Sequence, residues 1–218
     1  MDGTLLEPEG LTFGQIRSAT SIPEDVDLLE HIHNLPSEQQ DDAFAKIRDI
    51  EREAMLKQVP QAGLVSLMEY LDEHGVAKAI CTRNFEEPVA HLIANHIPGH
   101  ISTFAPIVTR DFRPTKPSPA GILHIARAWG ITVSPGVLHS SSMGPLLPIV
   151  MVGDSIDDIT AGNEAGALTV LLRSKGKEHL EADERVDVVI RCLAELIELL
   201  KGGLESRESR HTSDHTKT

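Results

Sequence analysis

Long apolar runs are missing from this 218-residue chain. None approaches the roughly 18 residues that cross a bilayer, so the sequence offers no membrane helix. Cysteine is scarce: Cys81 and Cys192 are the two present, with neither metal-site spacing nor the numbers for a disulfide framework. Positive charge is short as well. Lys and Arg total 20 against 33 Asp and Glu, a formal net charge of −13, which repels nucleic-acid phosphates unless a local basic patch intervenes, and the sequence shows no such patch. The N-terminus lacks the basic and apolar regions of a secretory signal, and there is no internal repeat. These absences point to a cytoplasmic, intracellular protein with no membrane or nucleic-acid partner, and leave its oligomeric state open. What is present, 40% hydrophobic and 24% charged residues, suits a globular protein with one substantial core or a core carrying a smaller insert.

Periodicity then sets the expected organisation. From Pro36 the stretch PSEQQDDAFAKIRDIEREAMLKQV reads as a helix, with Ser37 and Gln40 suiting a capping box and Ala43, Phe44, Ile47, Ile50, Ala54 and Met55 at helical spacing. Pro60 starts a second helix closed by Gly75, and VAKAICTRN follows as a strand. Downstream come a helix near 85–96, an apolar segment around 101–108, a helix over 117–129, the strand PIVMVGD, the helix IDDITAGNEAG, strands ALTVLL and VDVVI, and a last helix CLAELIELL. Strands alternating with helices predict an α/β fold: a doubly wound parallel sheet, Rossmann-like, covered on both faces. Residues 11–59 contain no convincing strand and read as a small helical insert, so the core is expected over 1–10 and 60–201. The stretch 134–148 reads as an irregular loop and 202–218 as a disordered tail.

Chemistry-bearing residues fall at the ends of these strands. In VGDSIDD, Asp154 follows the strand directly, where ligands bind in open parallel sheets, and Asp158 lies one turn on. Asp154 and Asp158 could meet the demand of magnesium for one or two carboxylates plus water and phosphate oxygens. The plainer alternative is that Asp154 caps the following helix and the other acids favour its dipole. In CTRN, Thr82, Arg83 and Asn84 offer hydroxyl, guanidinium and amide donors to phosphate, or form an ordinary turn. In TKPSP, Lys116 stands between Thr115 and Pro117, ahead of a helix, as a point charge for phosphate or a solvated lysine. His31 and His33, and His91 and His96, lack a carboxylate or cysteine at ligand spacing and read as ordinary histidines. Cys81 reads as a small buried residue and Trp129 as core.

MDGTL, CTRN, TKPSP and VGDSIDD together, in this order over residues 2–158, give a chain that resembles the haloacid dehalogenase-like hydrolase superfamily, particularly its phosphoglycolate phosphatase-like branch with a helical cap. The resemblance implies a magnesium-dependent phosphatase of a small phosphorylated metabolite, working through an aspartyl-phosphate. It assigns Asp2 as general acid and base that lends its carbonyl to the metal, Gly3 and Thr82 to phosphate binding, with Arg83 and Asn84 beside them, and Lys116 to charge stabilisation. Asp154, supported by Asp158, becomes the magnesium ligand, and 11–59 the cap that closes over the site.

In the family the first motif runs Asp-x-Asp-Gly-Thr. Met1 occupies the x, so the nucleophilic aspartate and the central strand leading to it would precede Met1. The favoured expectation is a translation start placed at an internal methionine; the other is a catalytically inactive phosphate-binding or interaction protein of the same fold. A dehalogenase or phosphoryl transferase is a further alternative; a dehalogenase needs no magnesium, so the acid pair Asp154 and Asp158 argues for phosphate. A sheet without its central strand would leave unpaired backbone groups, each costing about 1–3 kcal/mol when buried, so the chain is expected to fold poorly unless it rearranges or pairs.

Overall fold

The computed structural model describes residues 1–8, 12–23, 26–132 and 147–204. Most of the expected 134–148 loop and of the 202–218 tail lies outside these residues.

Three helices follow the N-terminal loop: α1 (Thr12–Thr20), α2 (Leu28–His33) and α3 (Ser37–Met55). Their inward residues Ile16, Leu28, Ile32, Ala43 and Ile47, with Ile22 from the turn after α1, form a small core of their own. Asp27 caps α2 by accepting from the Glu30 N–H at 2.9 Å. The start of α3 departs from the expected capping box. Ser37 is already helical, Pro36 sits at the cap position without a side-chain bond, and the Gln40 amide instead donates to the His33 and Leu35 carbonyls.

The remaining elements alternate: α4 (Leu64–Glu73), β1 (Ile80–Cys81), α5 (Glu86–His96), β2 (Ile107–Val108), α6 (Ala120–Ala128), β3 (Val150–Gly153), α7 (Ile156–Glu164), β4 (Leu168–Leu172), β5 (Val188–Ile190) and α8 (Leu193–Gly202). Helix α4 begins at Leu64 rather than Pro60, because Pro60 pairs antiparallel with Leu6 and Gly63 takes a left-handed turn with φ of +84°. A Cβ on Gly63 would stand 2.5 Å from the Ala194 backbone nitrogen, so only glycine lets α4 start against α8.

Every strand pairing is parallel, as the alternation requires. Leu168–Leu172 is buried at all five positions, as a strand covered on both faces must be. Leu64, Leu67 and Met68 of α4, Val89 and Leu92 of α5 and Leu193 and Leu196 of α8 cover one face. Ile122 and Ile125 of α6 with Ala161 of α7 and Ala165 just after it cover the other. The fold is α/β with parallel strands. Two sheets stand where one was expected: β1–β2, and β3–β4–β5. Residues of β1 and β3 line the same apolar slot of about 180 Å3, together with Met1, Leu67 and Phe104. The slot explains why the VAKAICTRN strand shrinks to two paired residues: β1 has a ladder partner on one edge only.

Candidate active site

The carboxyl ends of β1 and β3 open on a cleft of about 380 Å3 whose walls include Asp2, Gly3, Thr82, Lys116 and Asp154. Four separated segments thus meet at one place. The N-terminal loop is held there by bonds from the Glu7 N–H to the Val59 carbonyl and from the Gln61 N–H to the Leu5 carbonyl, both near 2.9 Å. Gly3 turns with φ of +76°, and a Cβ on it would lie 2.2 Å from Asp154 Oδ2. Any side chain at position 3 would therefore displace the Asp154 carboxylate.

Asp154 is buried and leaves the end of β3. Its Oδ1 accepts from the Thr4 hydroxyl at 3.0 Å, and its Oδ2 takes the Lys177 ammonium at 2.5 Å. Lys177 also donates to the Asp154 carbonyl at 3.2 Å. Sequence reading missed Lys177, which arrives from the loop after β4 with no motif around it.

Capping of α7 falls to Ser155 and Asp158, not to Asp154. The Asp158 N–H and the Ser155 hydroxyl close a capping box, with Ser155 Oγ 2.7 Å from Asp158 Oδ2. Asp158 Oδ1 holds the Lys116 ammonium at 2.5 Å. Both oxygens of Asp158 are thereby engaged, which makes it the anchor of Lys116 and of the helix start. Burial alone would lower the Lys116 pKa, but the adjacent Asp158 carboxylate holds it above its usual value. Burial would likewise raise Asp158, and Lys116 instead holds it well below the carboxylate range.

At the end of β1, Thr82 is buried and its hydroxyl oxygen accepts from the Asn84 N–H at 3.1 Å. Among the described residues the Thr82 O–H has no acceptor, so its proton is available to a ligand. The Asn84 side-chain amide donates to Asp2 Oδ2 at 2.8 Å, orienting that carboxylate. Arg83 lines the cleft, but its guanidinium is committed to Asp157 at 2.5 Å and to Asp27 of α2 at 3.3 Å. It ties the helical layer to the core. Met1 also lines the cleft, and burial, with Lys116 beside it, pushes the pKa of its amine below the usual value.

The donor set fits a hard cation. Asp154 presents a buried carboxylate whose Oδ2 already carries a positive group, Lys177, and Gly3 lets the N-terminal loop pack directly against that carboxylate. Among the described residues no three His, Cys, Asp or Glu side chains form a cage; magnesium does not need one, since water and substrate phosphate complete its shell.

A family model described as haloacid dehalogenase-like hydrolase matches residues 1–166. The chain belongs to the haloacid dehalogenase-like hydrolase family. Within that family it is 41% identical over 205 residues to an uncharacterized hydrolase of Saccharomyces cerevisiae, covering 92% of this chain and 88% of that one. In structure, this haloacid dehalogenase-like hydrolase is similar to a hydrolase from Pseudomonas syringae, with TM-score 0.66 and 20% identity over 94% of this chain and 96% of that one. It is also similar to CbbY from Rhodobacter sphaeroides, solved in complex with phosphate, with TM-score 0.59 and 21% identity over 90% and 93% of the two chains. Likenesses at this identity speak for the fold.

Proposed function

We propose that this hydrolase is a magnesium-dependent phosphatase of a small phosphorylated metabolite, working through an aspartyl-phosphate whose carboxylate stands one residue before Met1. The convergence of Asp2, Thr82, Lys116 and Asp154 on one cleft carries this reading. Phosphate bound to the fold relative from Rhodobacter sphaeroides supports it. An aspartate preceding Met1 would enter the same cleft, because Met1 lines it.

In this reading the Thr82 hydroxyl and the Lys116 ammonium bind phosphoryl oxygens, and Lys116 stabilises the charge that builds on them. The carboxylate attacks phosphorus as the ester P–O bond breaks, and Asp2 gives its proton to the departing alkoxide. Asp2 then takes a proton from water, whose oxygen attacks the aspartyl-phosphate, releasing inorganic phosphate and restoring the carboxylate. Asn84 keeps Asp2 Oδ2 in place through both proton transfers. Asp154 and the Asp2 carbonyl would hold magnesium, which when bound neutralises phosphoryl charge. Helices α1 to α3 would serve as the cap over this cleft, as an insert over 11–59. The substrate would meet the protein in the cytoplasm.

The test is phosphate release from small phosphomonoesters by the chain carrying an aspartate immediately before Met1. Magnesium-dependent release that falls at least about 100-fold in Asp154→Asn is expected. Release that survives chelation or Asp154→Asn would refute the reading. Tight phosphate binding with no release would leave the binding-protein alternative standing in its place.

A further inference from the structure

A second cavity, of about 100 Å3, adjoins the cleft and shares Asp2 and Asn84 with it as walls. Core and helical layer both build it: Leu6 and Pro88 come from the core, Ile16, Glu51 and Met55 from the helices. Glu51 is the polar feature of its helical wall. It is 9% exposed and sits on α3 one turn after Ile47 and two after Ala43, where the buried stripe would ordinarily carry another apolar residue. Its Oε1 accepts from the Arg110 guanidinium, which extends from the loop after β2. Its Oε2 is buried and has no hydrogen-bond partner among the described residues. A buried acceptor left unmet is costly, and water or a ligand donor normally satisfies it.

Location says what could supply that donor. Asp2 faces both cavities, and as the proposed acid it protonates the leaving group, so the group that departs from a phosphate in the cleft enters the space beyond Asp2. We infer that the cavity is the leaving-group subsite and that Glu51 Oε2 accepts a hydrogen bond from a substrate hydroxyl, which makes the substrate a phosphomonoester of a small neutral polyol. This inference rests on the phosphatase reading and deepens it. A leaving group bearing a carboxylate is disfavoured, because Asp2, Glu7 and Glu51 already line the space. An ammonium would have to share Glu51 with Arg110, whose guanidinium already pairs with it. The cavity's small volume, about 100 Å3, suits a short polyol. Apolar walls from Leu6, Ile16, Met55 and Pro88 suit the carbon side of such a chain.

Calorimetric titration of the chain at about pH 8, in magnesium, with inorganic phosphate, glycerol 3-phosphate, phosphoglycolate and phosphoethanolamine tests the inference. Glycerol 3-phosphate is expected to bind about tenfold more tightly than each of the other three, the discrimination of one met against one unmet buried acceptor. That ratio should collapse towards one in Ala54→Leu, which fills the cavity without touching the ion pair. It should do the same in Glu51→Leu combined with Arg110→Met, which removes the acceptor and leaves no buried charge unpaired. Equal or tighter binding of phosphoglycolate or phosphoethanolamine, or a ratio that survives both variants, overturns the subsite. Phosphate binding without polyol preference defeats this inference alone, whereas failure of every phosphate compound to bind defeats the phosphatase reading with it.

Discussion

Lys116 and Asp158 meet at 2.5 Å with side chains only 7% and 8% exposed, so each ion depends on the other for what water would have provided. Removing one partner of such a pair strands the other in a poor dielectric. Lys116→Met is therefore expected to lower unfolding free energy by about 3–5 kcal/mol, and Lys116→Met with Asp158→Asn by clearly less. Denaturant titration of both variants checks this; a loss below about 1 kcal/mol in the single variant would show that water reaches Asp158. At this scale the sequence was informative where a residue followed a strand. Asp2, Thr82, Lys116 and Asp154 each bracket a strand end or a loop before a helix, and the parallel topology carries such positions to one rim. Lys177 escaped because its loop lies far along the chain from the acid it pairs with, and charge pairing across that distance leaves no local trace. Glu51 was legible in principle. The four-residue step Ala43, Ile47, Glu51 puts a carboxylate on a buried stripe, a conflict between residue type and position of the kind that marks functional sites.

Among elements, the helices kept their expected places with α4 starting four residues late, whereas β1, β2, β3 and β5 are shorter than expected and β4 nearly keeps its length. Amphipathic spacing is written in the segment itself, whereas a strand's extent depends on partners elsewhere in the chain. The slot shared by β1 and β3 is the clearest case. Its walls are mostly apolar, it lies between two parallel sheets, and Met1 lines it, so an extended segment running parallel to both strands would bond to both edges. Each Val- or Leu-sized side chain seated there would contribute about 1.5–3 kcal/mol. A version of the chain carrying an apolar extended segment of five or six residues directly ahead of Met1 is expected to melt roughly 5 °C or more above the chain that starts at Met1. Calorimetry or dichroism melts compare the two. Equal melting temperatures would mean that the sheets close on each other instead.

For the molecule as a whole, charge pairs join the helical layer to the core: Arg52 with Glu87 at 2.9 Å, Arg83 with Asp27, and Arg110 with Glu51. The first two are partly exposed and contribute little individually. The third is buried, and its acid is unusual. Burial pushes the Glu51 pKa up to about 7, outweighing the pull of Arg110, with the nearby Asp2 charge adding to the rise. An acid whose folded pKa exceeds its unfolded value, here 4.5, holds its proton more tightly when folded. Its contribution to stability is therefore largest at low pH, declines as pH climbs from about 4.5 through about 7, and stays at its minimum above that. The shift corresponds to at most about 3 kcal/mol, less when Arg110 readjusts. Groups held below their usual pKa act in the opposite sense: His33, pushed down by burial and then by Arg113, is neutral more readily when folded, so it adds stability as pH rises. The Glu51 contribution is therefore seen as a difference between two proteins. Glu51→Gln keeps an oxygen for Arg110 and cannot ionise, so relative to the original chain it should gain about 1–3 kcal/mol between pH 5 and pH 8. Denaturant titrations of both proteins at those two values measure it. A difference that does not change with pH would mean that Glu51 is ionised throughout, and the layers would then be joined by an ordinary salt bridge.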